Sequence, residues 1–185
     1  MEQKKIQTLC MIPLFTAIIA ILAQFSIPLP FGIPLSLQNA AILLAAVLLG
    51  KRNGTLSVLV YLFLGGIGLP VFANFRGGLQ TFLSPTGGFL LGYPGMAYII
   101  GTGCEKDSSK IRFLLSILFG LAFDYLIGLT IFCLITSTNI RTGILTCILP
   151  FLPTDLLKII LISLLSPKIK KRLHVFIQPH PQKKF

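Results

Sequence analysis

The chain has 185 residues, 54% of them hydrophobic and only 11% charged, with a mean hydropathy of +0.88. Soluble domains carry roughly 25% charged residues, so this composition excludes an ordinary soluble enzyme and points to a protein embedded in lipid. The net charge of +11 gathers at the ends of apolar stretches, where membrane topology and anionic headgroups account for it, so no nucleic-acid partner is expected.

In chain order, the first apolar stretch covers residues 6–27, behind Lys4 and Lys5 and interrupted by Pro13. No small-residue cleavage site follows it, which predicts a retained helix and not a secretory signal. Pro28, Pro30 and Pro34 then forbid helix and predict an extended outer loop. Residues 35–50 form a second helix, short for a hydrocarbon core of ~30 Å, and residues 54–71 a third. That third helix ends at Gly65-Gly66-Ile67-Gly68-Leu69-Pro70, glycines that suit close helix packing or a helix end. Residues 73–88 are too long and too apolar for a solvated connector, with Phe75, Leu79, Phe82 and Leu83 among Asn74, Arg76, Gln80 and Thr81. They are predicted to fold back over the bundle as a re-entrant lid between the third and fourth helices. The fourth and fifth helices cover 89–104 and 111–136. Pro150 and Pro153 divide the last stretch, 143–165, into a piece at the outer surface and a helix over 154–165.

Assigning the connections alternately to two sides sorts the cations. Thirteen of the sixteen Lys and Arg residues fall on one side: Lys4 and Lys5, Lys51 and Arg52, Lys106, Lys110 and Arg112, and six in the basic tail at 167–185. Arg76 and Arg141 alone fall on the other, and Lys158 lies inside an apolar stretch. Cations flanking spans stay in the cytoplasm. The reading is an all-α, multi-pass protein of the cytoplasmic (inner) cell membrane, one transmembrane domain over 1–185, with six crossings and both termini cytoplasmic.

Little in the chain suggests catalysis. Gly50-Lys51 is followed by Arg52 and lacks the earlier glycine of a phosphate loop, so ATP hydrolysis is not expected. Cys10, Cys104, Cys133 and Cys147 have neither CxxC spacing nor a nearby histidine, and His174 and His180 lie in the basic tail without ligand spacing. No metal site, redox pair, cofactor or catalytic residue follows.

Three ionisable groups interrupt the apolar stretches. Such groups cost about 2.5–3.5 kcal/mol to insert and mark functional sites by default. Asp155 and Lys158 are three apart and share a helix face, either as an internal ion pair at a helix N-terminus or as a ligand-binding pair. Asp124 falls near the midplane, about 18 Å up its helix from Arg112, as a structural hydrogen-bonding group or a proton-coupling carboxylate. If the crossings hold, Gln38, Asn74, Tyr93, Asp155 and Lys158 all lie toward the outer ends of their helices. Together with Phe72, Phe75 and Phe82 they would make an apolar pocket with a few aimed polar groups, suited to a small molecule captured from outside.

Three blocks carry a resemblance: Gly65-Gly66-Ile67-Gly68-Leu69-Pro70-Val71-Phe72-Ala73, Pro85-Thr86-Gly87-Gly88-Phe89-Leu90-Leu91-Gly92-Tyr93-Pro94, and Leu149-Pro150-Phe151-Leu152-Pro153-Thr154-Asp155-Leu156-Leu157-Lys158. In this order and spacing the chain, over about residues 25–165, resembles the biotin-specific S component of energy-coupling-factor (ECF) transporters, the BioY family. The resemblance implies a six-helix vitamin-binding subunit docked on a transmembrane coupling protein with two cytoplasmic ATPases. Docking would use small residues of the first helix, for which Thr16-x-x-x-Ala20, with Ala17 and Ala23, is the nearest match. It also implies that Gln38, Asn74, Tyr93, Asp155 and Lys158 bind biotin, with the phenylalanines covering its sulfur ring and alkyl chain. Asp155 and Asn74 would serve the ureido group, and Lys158 the carboxylate. The rivals are a proton- or ion-coupled carrier of a small carboxylate using Asp124, a structural or assembly protein of the membrane that would need no pocket, and an S component for another vitamin.

Overall fold

The computed structural model describes residues 2–27, 33–104 and 109–177, and side chains only between 9 and 166, Lys110 excepted. The extended loop expected around Pro28 and Pro30, the cations at both chain ends, and Lys106 lie outside the described residues or side chains. The elements are α1 (Glu2–Gln24), a short ribbon of β1 (Ser26–Ile27) and β2 (Leu35–Ser36), α2 (Gln38–Gly66), α3 (Gly87–Thr102), α4 (Lys110–Thr136), α5 (Ile140–Cys147) and α6 (Leu152–Ile177). The antiparallel ribbon pairs Ser26 with Ser36 and Ile27 with Leu35. It adds a small β element to the all-α expectation, because pairing satisfies backbone groups that the prolines keep out of a helix.

By length and apolarity alone α2 would be a single crossing, as α4 is over Ile111–Thr136. Its geometry makes it two. Gly50 sits at φ 77°, ψ −178°, a conformation open essentially to glycine. Residues 46 and 54 would lie about 12 Å apart along a straight helix, yet a Cβ placed on Gly54 would be 2.8 Å from the Ala46 Cα. The chain therefore doubles back into antiparallel arms, 38–49 and 51–66. This matches the break expected between the second and third helices, which the sequence announces with Gly50-Lys51-Arg52-Asn53-Gly54.

The hairpin is the centre of the molecule. It packs against α1 on one side and α3 on the other, α3 packs on α4, and α6 returns to α2. The core so formed contains Ile19 and Ala23 of α1, Ala45, Ala46, Val58 and Tyr61 of the hairpin, Met96 and Ile100 of α3 and Ile117 of α4, all buried. Outward faces are also apolar: Leu118, Phe119, Leu126 and Leu134 of α4 and Leu156, Leu161 and Leu164 of α6 are exposed, the pattern of helices whose solvent is hydrocarbon.

Three cations gather at one end of the bundle. Gly101, near the end of α3, abuts Lys51 at the hairpin turn, and Gly103 abuts Ser116 and the Arg112 carbonyl. Lys51, Arg52 and Arg112 thus share one end of the bundle, while the segment containing Arg76 and the start of α5 at Arg141 lie at the other.

Several boundaries differ from expectation: the second helix starts at Gln38 and not at residue 35, the third ends at Gly66 and not at 71, and α5 starts at Ile140 and not at 143. α5 and α6 are separate helices bent by 46°, the division that Pro150 and Pro153 predict. α6 starts at Leu152 and not at residue 154, since Pro153 occupies the first turn, where its missing N–H breaks no helical bond. Of the small residues named for docking, two face inward. The Thr16 hydroxyl donates to the Ser57 carbonyl at 3.0 Å, and Thr16 and Ala23 are buried against the molecule's own helices. The exposed face of α1 carries Leu14, Ala17 and Ile21 instead.

Candidate functional site

Residues 73–86 fold back as two single 3₁₀ turns, Ala73–Phe75 and Leu79–Thr81, ahead of α3. Phe72 anchors this lid. Its ring is buried and meets Tyr61 edge-on at 5.5 Å and Phe82 at 5.6 Å, the aromatic geometry favoured by the ring quadrupoles. One side chain, Gln24 at the end of α1, clamps the lid's base. Its Nε2 donates to the Val71 carbonyl at 3.1 Å, and its Oε1 accepts from the Phe75 N–H at 2.9 Å.

Beneath the lid, between the starts of α2 and α3 and the middle of α4, lies a cavity. Its volume of about 60 Å³ is space for several waters where one needs roughly 10–15 Å³. Gln38, Tyr93, Lys158 and Phe72 line it, with Asn39, Arg76, Phe89, Asp124, Tyr125 and Phe151. Asp155 is one step behind. It is buried, accepts from the Lys158 ammonium at 3.0 Å, and accepts a short bond from the Tyr125 hydroxyl through its second oxygen. Asn74 and Phe75 are not among the lining residues. Both have left-handed φ values, 60° and 55°, which turn them outward: Asn74 Oδ1 accepts from the Ser26 hydroxyl at 2.7 Å, and Phe75 is 71% exposed. Phe82 reaches the site only through Phe72.

Sequence reasoning did not pick Gln24, Asn39, Tyr125 or Phe89. Tyr125 follows the conspicuous Asp124, but its bond to Asp155 spans thirty positions and has no local signature.

The cavity's chemistry is defined by what is unsatisfied. Four buried side-chain atoms lack a hydrogen-bond partner among the described residues, and three belong to cavity-lining residues: Gln38 Nε2, Asn39 Oδ1 and Asp124 Oδ1. Orphaned buried polar atoms are costly, about 1–3 kcal/mol each, and three of them belong to residues around one void, so a polar guest that drew them out would be stabilised there. Amide orientations are assigned from surrounding bonds; as placed, they offer one donor and two acceptors. Lys158 adds further N–H donors, because its ammonium has three and Asp155 engages one. Phe72, Phe89 and Phe151 supply apolar walls. Such a site suits a small heterocycle carrying both N–H and carbonyl groups, with an apolar remainder.

The sequence profile of the BioY family matches residues 1–175. The biotin transporter BioY of Thermotoga maritima is 40% identical over 158 residues, covering 85% of this chain and 92% of its own. The biotin transporter BioY of Rhodobacter capsulatus is 34% identical, covering 86% and 90%. Among solved structures, a crystal structure of the S-component for biotin from an ECF-type ABC transporter superposes with a TM-score of 0.85 at 31% identity, covering 92% of this chain and 94% of that one. With a profile match along nearly all its length and with relatives alike in both sequence and fold, this membrane protein belongs to the BioY family.

Proposed function

We propose that the chain is the high-affinity biotin-binding subunit of an ECF-type uptake transporter, in which a membrane coupling protein and cytoplasmic ATPases supply the energy. It lies in the cytoplasmic membrane with six crossings: α1, the two arms of α2, α3, α4, and the bent α5–α6 pair. Lys51, Arg52 and Arg112 at one end favour cytoplasmic termini, and the lid end then faces outward.

One observation carries the assignment of ligand. The unpartnered Gln38 donor and the Asn39 and Asp124 acceptors complement a cyclic urea, with one carbonyl and two N–H groups, which is the polar half of biotin. Phe72, Phe89 and Phe151 cover the sulfur ring and the alkyl chain. Lys158 and Tyr93 border the same void, and Asp155 holds Lys158 and Tyr125 in place. Asn74 and Phe75 join the ligand only if the lid turns inward. The void is smaller than a bicyclic ligand, so the lid and the lining side chains must yield on binding.

Biotin at a hundredfold excess over its dissociation constant should stabilise the detergent-solubilised chain by about 2.7 kcal/mol, read as a raised melting temperature, and labelled biotin should bind the isolated chain directly. Neither response at millimolar biotin would dispose of the reading. Tyr125→Phe removes the hydroxyl that holds Asp155. Bonds to charged groups contribute about 1.5–3 kcal/mol, so equilibrium titration should show biotin affinity about tenfold lower.

A further inference from the structure

The two cations that line the cavity are in different states. Lys158 is already matched, with its ammonium 3.0 Å from an Asp155 oxygen. Arg76 lines the same cavity, yet its guanidinium makes no hydrogen bond or ion pair among the described residues. The backbone nevertheless holds it firmly. The Arg76 carbonyl accepts from the Phe72 N–H at 2.9 Å, closing the 72–76 turn. Next to it, the Gly78 N–H donates to the Gly65 carbonyl at 2.7 Å. Gly77 is pressed against the Leu69 carbonyl so closely that a Cβ there would lie 2.3 Å from the oxygen. An exposed arginine is thereby fixed at the mouth of an apolar cavity with its charge unspent.

We infer that Arg76 is the receptor for the ligand's carboxylate, and that the Asp155-bound Lys158 serves the uncharged ureido end. The inference rests on the biotin reading and assigns the ends of that ligand. A guanidinium fork matches a carboxylate in bidentate geometry. Bringing an anion to an unpaired cation at the lid also requires breaking no existing bond, whereas placing it on Lys158 would set it beside the Asp155 carboxylate. A cation at the rim draws in an anionic ligand as well, so association slows with added salt.

The test compares biotin with biotinamide, whose tail is uncharged, by titration into the purified full chain and its Arg76→Gln, Arg76→Lys and Lys158→Gln variants. The wild type should prefer biotin by at least tenfold. Arg76→Gln should abolish that preference by weakening biotin alone, its intact biotinamide binding showing that it is folded, and Arg76→Lys should restore part of it. Lys158→Gln should weaken both ligands alike and keep the preference. The assignment is overturned if Arg76→Gln retains the preference, if Lys158→Gln is the variant that loses it, or if the wild type binds both ligands equally. A wild type that binds neither refutes the biotin reading itself.

Discussion

Asp155→Asn and Lys158→Ala should each lower biotin affinity at least tenfold while leaving membrane insertion and helix content unchanged. The two side chains form a largely buried pair, with relative exposures of 5% for Asp155 and 11% for Lys158. Removing one partner of such a pair strands the other and costs about 3–5 kcal/mol, part of it felt as lost order in the site. Asparagine keeps the shape of residue 155 and can still accept from Tyr125, so that variant isolates the loss of charge beside Lys158. The alanine variant goes further: it deletes a cavity-lining donor as well as leaving Asp155 with Tyr125 alone. Of the two it should bind more weakly. Titration of both purified proteins gives the answer, and wild-type affinity in both would remove this pair from the site.

Gly101→Val should do the opposite, lowering stability and sparing affinity. A Cβ at Gly101 would stand 2.3 Å from the Lys51 Cα and 2.4 Å from its nitrogen, and these are backbone atoms that cannot rotate aside. The hairpin turn or α3 must move. Overpacking of this kind costs about 1–3 kcal/mol, and each kcal/mol shifts the melting temperature of a chain this size by about 2–4 °C, so a fall of roughly 2–12 °C is expected. Because Gly101 lies at the end of the bundle away from the cavity, the folded fraction should bind biotin within twofold of wild type. An unchanged melting temperature would mean that the turn is not seated on α3.

How far the sequence discloses this site depends on how each residue reaches it. Gln38, Tyr93 and Lys158 are polar interruptions of apolar helices, and a polar group in lipid needs a reason. Helix position then aims them at one end of the bundle. Asp155 reads equally well as ligand or as partner of Lys158, and the fold makes it the partner. Asn74 and Phe75 stand beside Phe72 in sequence, but two successive left-handed residues reverse their direction, and nothing in their identity announces that. Asn39 hides behind Gln38 because a one-residue step around a helix is about 100°, which ordinarily separates neighbours. The fold was plainer: glycine with cations marks the hairpin turn, and prolines mark the α5–α6 bend. The ribbon and the inward-facing Thr16 depend on pairings between distant segments.

The hairpin arms have a mechanical consequence. At 1.5 Å per residue, arm 38–49 reaches only about 18 Å, against roughly 30 Å for the oily layer. Lipid beside it must pinch inward, or neighbouring helices must shield the shortfall. Since Gln38 sits at the tip of this stunted arm, a biotin bound as proposed would already rest below the level of the headgroups, and the stretch of oil between it and the far side would be thinner than the bilayer around it.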